Sequence, residues 1–347
     1  MDELSTLRKI QDNVAPPTKQ AVDRGRAALF AKIQNTQPAR RPNRPLSRRR
    51  VGLVAAGAGV LTLTLIVTGI LIPHSGPGSS AEAATALNSA AEATIGSVDP
   101  TVGPGQYLKI DTTSKGMASA ASIVTGENLE WMQGTHDVLY IPSDQNQTWV
   151  WDRHLLPPYE FQNDAAKKFA LDQYAVEKGN PLTDSVVRGG AGMFYGSTTP
   201  YSNNFFGTEP TTKTLTDLPT DPTALREYLR KTWYPGASGT EDENAWVRIT
   251  DLLRTGTVPA PLRAVLYKVA AMIPGISVID DDTTLDGRTG TAIGRVVNGA
   301  RSDIIIDPRN GQFIGERSVA LKPLRGWPAG TSGWWSVVTT SVVDTAP

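Results

Sequence analysis

The chain of 347 residues contains no cysteine and only three histidines. Without cysteine, disulfides, thiolate catalysis and cysteine-ligated zinc are excluded, and three separated histidines do not provide a histidine-rich metal site. Nucleophile-elbow, H-E-x-x-H, Walker and dinucleotide-binding motifs are also missing from the sequence. We therefore expect no enzymatic activity, no cofactor and no bound metal.

One group of residues is of the type that performs acid–base catalysis. Asp152, His154 and Glu160 lie close together in the sequence. Histidine is common on exposed loops, however, and no nucleophile motif accompanies these side chains. We do not assign them a catalytic role.

A second group imitates the start of a calcium loop. Asp282, Thr284, Asp286 and Gly287 have the spacing that opens such a loop. The twelfth position, which must be a bidentate glutamate, is Ile293. A solvated acidic hairpin is the simpler interpretation.

Long apolar runs are rare in the chain, and the exception covers residues 51–72. These 22 residues contain no charge, Asn, Gln or Pro. As a helix they would span roughly 33 Å, which matches a hydrocarbon core of about 30 Å. A signal peptide is the competing interpretation, but its apolar core has only about 7–15 residues and follows a short leader. We predict a single transmembrane helix.

Positive charge is concentrated on one side of this run. Residues 1–50 hold twelve Lys or Arg against four Asp or Glu (+8), whereas residues 73–347 hold 22 against 30 (−8). The positive-inside rule therefore predicts a cell-membrane protein with a cytoplasmic N-terminus and an extracytoplasmic C-terminal domain. Nucleic-acid binding is the other use of clustered arginines, but beside a span we expect contact with the bilayer and no direct nucleic-acid contact. The predicted membrane-interface residues are Arg40, Arg41, Arg44, Arg48, Arg49 and Arg50.

The basic head, residues 1–50, contains two short helical patterns before its arginine-rich linker. So few apolar groups do not form a robust core alone. Two interpretations stay open: a docking element that completes its fold on a cytoplasmic partner, or a solvated tail with transient helices. The side chains predicted to dock are Leu4, Leu7, Ile10, Val22, Leu29 and Ile33.

Residues 73–80 form a flexible spacer rich in Pro, Gly and Ser, and residues 81–347 are numerous enough for one outer domain with its own core. An Ala-rich helix that ends at Gly96 is predicted to begin this domain. Residues 181–207 are rich in Gly, Asn and Pro and are interpreted as loops. Short strands are predicted in 106–114, 127–134, 136–144 and 147–153.

Three helices and a run of strands are predicted next. The helix signals are the pair Asp221-Pro222, the capping-box spacing of Thr240 and Glu243, and Pro261. Four strands follow over 277–321, joined by Asp-Gly and Asn-Gly turns that suit tight antiparallel hairpins, and 333–343 adds one more. The predicted fold class is therefore α+β: an antiparallel sheet with a group of helices inserted between its early and late strands.

All eight tryptophans follow the apolar run. Most are expected in the core, although a few would suit an apolar or carbohydrate-binding groove. Trp149 and Trp151 share one face of their strand by the period of two, whereas the neighbours Trp334 and Trp335 must point to opposite faces.

Several segments together resemble an uncharacterised family of actinobacterial single-pass membrane proteins, often encoded beside extracytoplasmic-function sigma factors. They are the head MDELSTLRKI, the Arg-flanked span, LLRTGTVPAPLRAVLYKVAAMIPGISVI and IIIDPRNGQFIGERSV. The resemblance implies envelope signalling, as an anti-sigma factor or an accessory with an outer sensor domain. Its implied partners are a cytoplasmic sigma factor and an envelope ligand or protein. The head lacks the His and paired Cys of zinc-type anti-sigma domains, so no binding motif is recognised in it.

An alternative function follows from the predicted architecture of the outer domain. A sheet covered by helices on one face is loosely similar to lipoprotein-carrier-like sensors of bacterial envelopes. The chain would then be a membrane-tethered binding module for an apolar or lipidic ligand, with no signalling role in the cytoplasm.

Overall fold

The computed structural model describes the part of the chain that follows the predicted span, over residues 79–97, 99–121, 127–195, 215–231, 239–297 and 299–347. All of these residues belong to one unit, Gly69–Pro347. No helix in these ranges is long and apolar enough to cross a membrane. The predicted head, span and spacer up to residue 78, with the twelve docking and interface residues assigned to them, lie outside the described residues.

One ten-stranded antiparallel sheet organises the described part of the chain. Its strand order is β5-β3-β2-β1-β10-β9-β8-β7-β6, and the short strand β4 pairs separately with β2. The central pair is β1 and β10, so the first and last long strands lie side by side. The strands are β1 (Tyr107–Ala121), β2 (Asn128–Pro142), β3 (Thr148–Leu155), β4 (Tyr159–Phe161), β5 (Val186–Gly190), β6 (Ser277–Leu285), β7 (Arg288–Val297), β8 (Ala300–Ile306), β9 (Phe313–Ala320) and β10 (Ser332–Val343).

Five α-helices and one short 3₁₀ helix, Leu215–Asp217, accompany the sheet in the described ranges. Ser80 caps the first helix, since its side chain accepts a hydrogen bond from the Ala83 amide. Thr240 and Glu243 form the predicted capping box, each side chain bonded to the other's backbone amide. The helices are α1 (Ala81–Gly96), α2 (Asp164–Glu177), α3 (Pro222–Lys231), α4 (Glu241–Arg254) and α5 (Ala260–Ala271).

The main core lies between one face of the sheet and four helices, α1, α3, α4 and α5. Apolar residues at helical spacing, such as Leu225 and Leu229 of α3, pack inward and are fully buried. The sheet contributes alternate residues, including Ile293 of β7 and Ile304 of β8. We call this side of the sheet the helix-covered face.

The opposite face holds a smaller apolar cluster formed by Leu285, Ala292, Ile305, Ile314 and Val337. The Asp303 carboxylate is fully buried beside this cluster and accepts hydrogen bonds from the guanidinium groups of Arg301 and Arg317. Buried carboxylates require such partners.

The predicted α+β class, the three inserted helices and the run of late strands are confirmed. The strand faces predicted for Trp149, Trp151, Trp334 and Trp335 are also confirmed. Trp149 and Trp151 both pack into the main core, and Trp334 and Trp335 lie on opposite faces.

Three details of the sequence interpretation are wrong. The predicted strands 127–134 and 136–144 are one continuous strand, β2, with Gly134 inside it. Val186–Gly190 is a strand within a stretch interpreted as loops. Helix α2 was not predicted, because its buried face consists only of the small residues Ala166 and Ala170.

Candidate ligand-binding site on the helix-covered face

Helix α2, on one side, and the group α1, α3, α4 and α5, on the other, lie on the same face of the sheet, at opposite ends of its longest strands. At one end, Ala166 and Ala170 of α2 pack against Trp131. At the other end, the core of α1 and α3–α5 includes Ile110 and Leu139. The stretch of β1 and β2 between the two groups carries polar side chains that are not fully buried, among them Thr112, Ser114 and Asp137.

The turn between α4 and α5 divides this face into two cavities. Gly256 lies in the turn with a φ of +67°, and a Cβ there would come within 2.8 Å of Ile110 Cγ2 and 3.2 Å of Thr340 Cγ2. The turn backbone therefore rests directly on β1 and β10, which a residue with a side chain would not allow. A cavity opens on each side of it, lined on one side by Leu253 and Val258 and on the other by Arg254 and Thr255.

The larger cavity has a volume of about 410 Å³ and lies where the sheet divides. The register of β10 with β9 ends at Val337 and Gly315, whereas β10 continues beside β1 as far as Val343. Leu108 and Val338 line the cavity from one half of the sheet, and Phe313 lines it from the other. We call it the split cavity.

The charged groups that line the split cavity are Asp99, Arg263 and Arg288. Asp99 accepts hydrogen bonds from Arg263 Nη2, at 3.0 Å, and from the Ala260 amide at the start of α5. Arg288 Nη1 donates to the Val338 carbonyl at 2.8 Å. Val338 lies just beyond the end of the pairing of β10 with β9. Burial lowers the pKa of Arg288, and the more distant Asp307 opposes that shift.

The smaller cavity, about 210 Å³, is lined by Trp151, Trp334, Asp137 and Arg254 above a floor that includes Ile110. We call it the tryptophan recess. Its Asp137 carboxylate accepts hydrogen bonds from Thr135, from Trp151 Nε1 at 3.2 Å and from Arg153 Nε at 3.2 Å.

Gly116 explains how the indole of Trp334 reaches the recess. The two residues are register partners in β1 and β10, and a Cβ at Gly116 would lie 2.7 Å from Trp334 Cδ1. The missing side chain lets the indole lie over β1. Its other neighbour is the Arg254 guanidinium, 5.1 Å from the ring centroid, which is a cation–π distance.

Arg254, in the wall of the recess, belongs to a partly buried ionic cluster. Arg254 Nη1 donates to Glu316 Oε1 at 2.7 Å, and Nη2 donates to Asp251. Burial raises the pKa of Glu316 to about 7, and the charge of Arg254 only partly opposes this effect. Burial also raises the pKa of Asp251. Burial by itself would lower the pKa of Arg254, but the two carboxylates raise it.

Of the three residues considered for acid–base catalysis, the structure brings only Asp152 and His154 together. His154 lies opposite His136 on the other face of the sheet and contacts Asp152 at 3.1 Å. Glu160 is in β4, which pairs with the Trp131–Met132 end of β2. Asp282, Thr284, Asp286 and Gly287 are exposed in the hairpin of β6 and β7, as the acidic-hairpin interpretation predicts. No group of three or more His, Asp or Glu side chains in the described ranges is placed to hold a metal ion.

Sequence interpretation considered Trp151 and Trp334 of the recess among the tryptophans of a groove, but it missed the charged residues of both cavities. Arg288 and Val338 are fifty positions apart, and no local pattern brings them together. Glu316 gives a weak signal, because a carboxylate inside the strand sequence FIGERSV contradicts an apolar core position. Arg254 looked like the charged last residue of a helix, which is a common way to complement the helix dipole.

Comparison with known proteins does not assign the chain. It matches no protein-family model and no curated protein. The resemblance derived from the sequence segments therefore stays a prediction.

Proposed function

We propose that the chain is a single-pass membrane regulator of envelope signalling, acting as an anti-sigma factor or as its accessory. In this proposal the outer domain is the sensor, the span at 51–72 crosses the cell membrane, and the head at 1–50 docks on a cytoplasmic sigma factor. A ligand or an envelope protein occupies the outer domain.

The observation that supports a sensor is the attachment of α1 to α5 at both ends. At the start of α1, the Ser80 amide donates to the Ile276 carbonyl at 2.8 Å, and Ser79 Oγ donates to the Ala271 carbonyl at 2.5 Å. At its end, Thr94 Oγ1 lies 3.1 Å from the Gly311 carbonyl, and this carbonyl accepts a hydrogen bond from Tyr267 Oη of α5 at 2.9 Å.

Helix α5 is also part of the site, because it supplies Arg263 to the split cavity. A ligand that binds better to one position of α5 therefore shifts α1 with it, since a shift in equilibrium requires such a difference in affinity. Helix α1 is the first element after the spacer at 73–80. A movement of α1 therefore displaces the segment that follows the predicted span.

The alternative, a tethered carrier of apolar or lipidic molecules, is less well supported by the cavities. Their volumes, about 410 and 210 Å³, lie at or below the low end of the range of about 300–1,000 Å³ for small-molecule pockets. The α4–α5 turn also separates them. These dimensions favour a small ligand that is sensed over a long-chain lipid that is carried.

Capture of a sigma factor by the head tests the regulatory proposal. The full-length chain, solubilised from membranes, is used as bait for the sigma factor encoded beside it. Leu7→Asp and Leu29→Asp should abolish capture, because each places a charge on the predicted apolar docking stripe. Thr6→Asp, outside that stripe, is the matched control and should capture normally. Capture that is unchanged by both leucine substitutions contradicts the docking role.

Deletion of residues 1–35 distinguishes a membrane regulator from a tethered carrier. The regulator should lose control over transcription of the neighbouring genes. A tethered carrier would keep its envelope phenotype with no effect on transcription. Protease treatment of intact cells provides the topology control, since the proposal requires the outer domain to be accessible and the head to be protected.

A further inference from the structure

We propose that the split cavity binds a small amphiphilic monoanion, a molecule with one carboxylate-like group attached to an apolar body. The inference deepens the proposed sensor function and rests on it, because it gives the chemical class of the ligand that the outer domain detects.

The charge balance of the cavity indicates an anion. Its lining contains two cationic side chains, Arg263 and Arg288, and one anionic side chain, Asp99. Arg263 and Asp99 neutralise each other through their 3.0 Å contact. The sum of the three is one positive charge, and it resides on Arg288.

Arg288 has no ion-pair partner within 4.0 Å in the described part of the chain. Asp281, Asp282 and Asp307 border a neighbouring cavity together with Arg288, but none of them forms an ion pair with it within 4.0 Å, and Asp307 is bound by Arg309 at 2.7 Å. Arg288 donates to the neutral Val338 carbonyl, which uses one of its five N–H donors. A half-buried guanidinium with free donors and no counter-ion is the arrangement that planar carboxylates and phosphates satisfy best.

A second arginine of the wall also has an unused donor. Arg263 is 8% exposed, and its two terminal nitrogens donate to Asp99 and Val258. Its Nε is buried with no hydrogen-bond partner in the described ranges. Buried donors in proteins are nearly always paired.

The remainder of the lining is suited to an apolar body. Leu108, Val338 and Phe313 come from the two halves of the sheet, and Leu253 and Val258 come from the helical side. Polar and apolar walls thus meet in one cavity, as in pockets where apolar contact gives affinity and a few polar groups fix orientation. An inorganic anion would leave the apolar walls unused, and a neutral apolar molecule would leave Arg288 without a counter-ion.

The test uses three probes that differ by one feature each. The full-length protein in nanodiscs is titrated with phenylacetate, with its neutral isostere phenylacetamide and with acetate, which lacks the ring. Binding is measured by ligand-detected NMR against empty nanodiscs. Phenylacetate should bind at least about tenfold more tightly than either of the others. Equal binding of phenylacetate and phenylacetamide, or no binding of phenylacetate at millimolar concentration, would overturn the proposal.

Substitutions locate the site. Arg288→Gln should weaken phenylacetate binding by about tenfold or more, and Arg288→Lys should retain most of it. Arg325→Gln is the matched control, since the Arg325 side chain is 59% exposed and does not line the cavity. Phenylacetate affinity that is unchanged in Arg288→Gln excludes the split cavity as the site. If Arg288→Gln does not fold, the comparison of the acid with the amide on the natural chain still decides.

The outcome is distinguishable from failure of the proposed function. If phenylacetate does not bind while the head still captures a sigma factor, the ligand class is wrong and the regulator stands. If phenylacetate binds in the Arg288-dependent manner and no sigma factor is captured, the site is correct and the regulatory role is wrong.

Discussion

Arg254, the last residue of α4, donates a 2.7 Å hydrogen bond to Glu316 in the middle of β9. The contact joins the helical layer to the sheet at the wall of the tryptophan recess. Glu316 is 6% exposed and the Arg254 side chain is 29% exposed, so the carboxylate is removed from water and the guanidinium is partly removed. Pairs of this kind cost desolvation energy, and their clearest effect is the penalty that appears when one partner is removed.

Replacing Arg254 with methionine should therefore destabilise the domain by about 3 kcal/mol at pH 8. The penalty should decrease towards pH 5, because a protonated Glu316 needs no cation. Thermal unfolding of the full-length chain in detergent measures the effect. Tryptophan fluorescence is a selective probe, since all eight tryptophans lie between residues 131 and 335.

Arg309→Met is the control for this substitution. Arg309 also pairs with a carboxylate, Asp307, but its side chain is 84% exposed. Exposed pairs contribute little, so we expect almost no change in the melting temperature. A similar loss in both variants would show that burial of the Arg254 pair has no special effect.

The raised pKa of Glu316 predicts how the folding stability of the domain depends on pH. Its pKa is about 7 in the folded chain and is taken as 4.5 in the unfolded chain. The folded state therefore holds the proton more tightly over this interval, and stability falls as pH rises from 4.5 towards 7. The stability lost over this pH interval is at most about 3 kcal/mol. Carboxylates with lowered pKa values, such as Asp111 and Asp307, titrate below this interval and do not oppose the trend.

Glu316→Gln should remove this part of the pH dependence, because glutamine imitates the protonated acid. Urea unfolding of the full-length chain over the same pH interval measures the slope for the variant and the natural chain. Glu92→Gln, at an exposed position of α1, should leave the slope unchanged. A natural chain whose stability rises with pH through this interval contradicts the prediction.

Two glycine substitutions test how closely the α4–α5 turn packs against the sheet. Gly256 and Gly275 follow α4 and α5 and have similar φ values, +67° and +79°. A Cβ at Gly256 would meet Ile110 at 2.8 Å, whereas a Cβ at Gly275 would have no atom within 4 Å. Both alanine variants carry the strain of a left-handed backbone, about 1 kcal/mol, and only Gly256→Ala adds a steric clash.

We expect Gly256→Ala to cost about 2–3 kcal/mol and Gly275→Ala about 1 kcal/mol in the free energy of unfolding. Urea denaturation followed by tryptophan fluorescence compares them. Equal costs would mean that the turn moves away from β1 and β10 without penalty, and the two cavities would then merge easily.

Local sequence signals predicted the local structure well. The end of the Ala-rich helix at Gly96, the capping box of Thr240 and Glu243, and the Asp286-Gly287 turn with both φ values positive all depend on neighbours within a few residues. Gly134 shows why longer strands were divided. Glycine usually interrupts a strand, but here a Cβ would lie 2.3 Å from the Ser114 carbonyl, so the close approach of β1 requires glycine.

The candidate site was not predictable in the same way. The split cavity depends on where the pairing of β10 with β9 ends, and this register is a property of the assembled sheet. The partners Asp99 and Arg263 are 164 positions apart. A sequence pattern states which residues are apolar and which are charged, but it does not state which distant strands become neighbours.

The attachment of α1 to α5 gives the last prediction. The Gly311 carbonyl accepts a hydrogen bond from Tyr267 Oη at 2.9 Å and shares the single hydroxyl hydrogen of Thr94, at 3.1 Å, with the Ala90 carbonyl at 2.7 Å; both side chains are fully buried. Thr94→Val and Tyr267→Phe each remove one of these donors, at a cost of about 1 kcal/mol.

The double variant should cost more than the sum of the two, by about 1 kcal/mol, because only then is the buried carbonyl left without either donor. Thr85→Val is the matched control in the same helix. Its hydroxyl bonds only to the Ala81 carbonyl and lies in an exposed position, so stability should hardly change. Urea unfolding of the natural chain, the two single variants and the double variant completes the cycle, with Thr85→Val measured beside them. Additive costs would show that the carbonyl finds another partner, and that α1 and α5 are held together at this end by apolar packing alone.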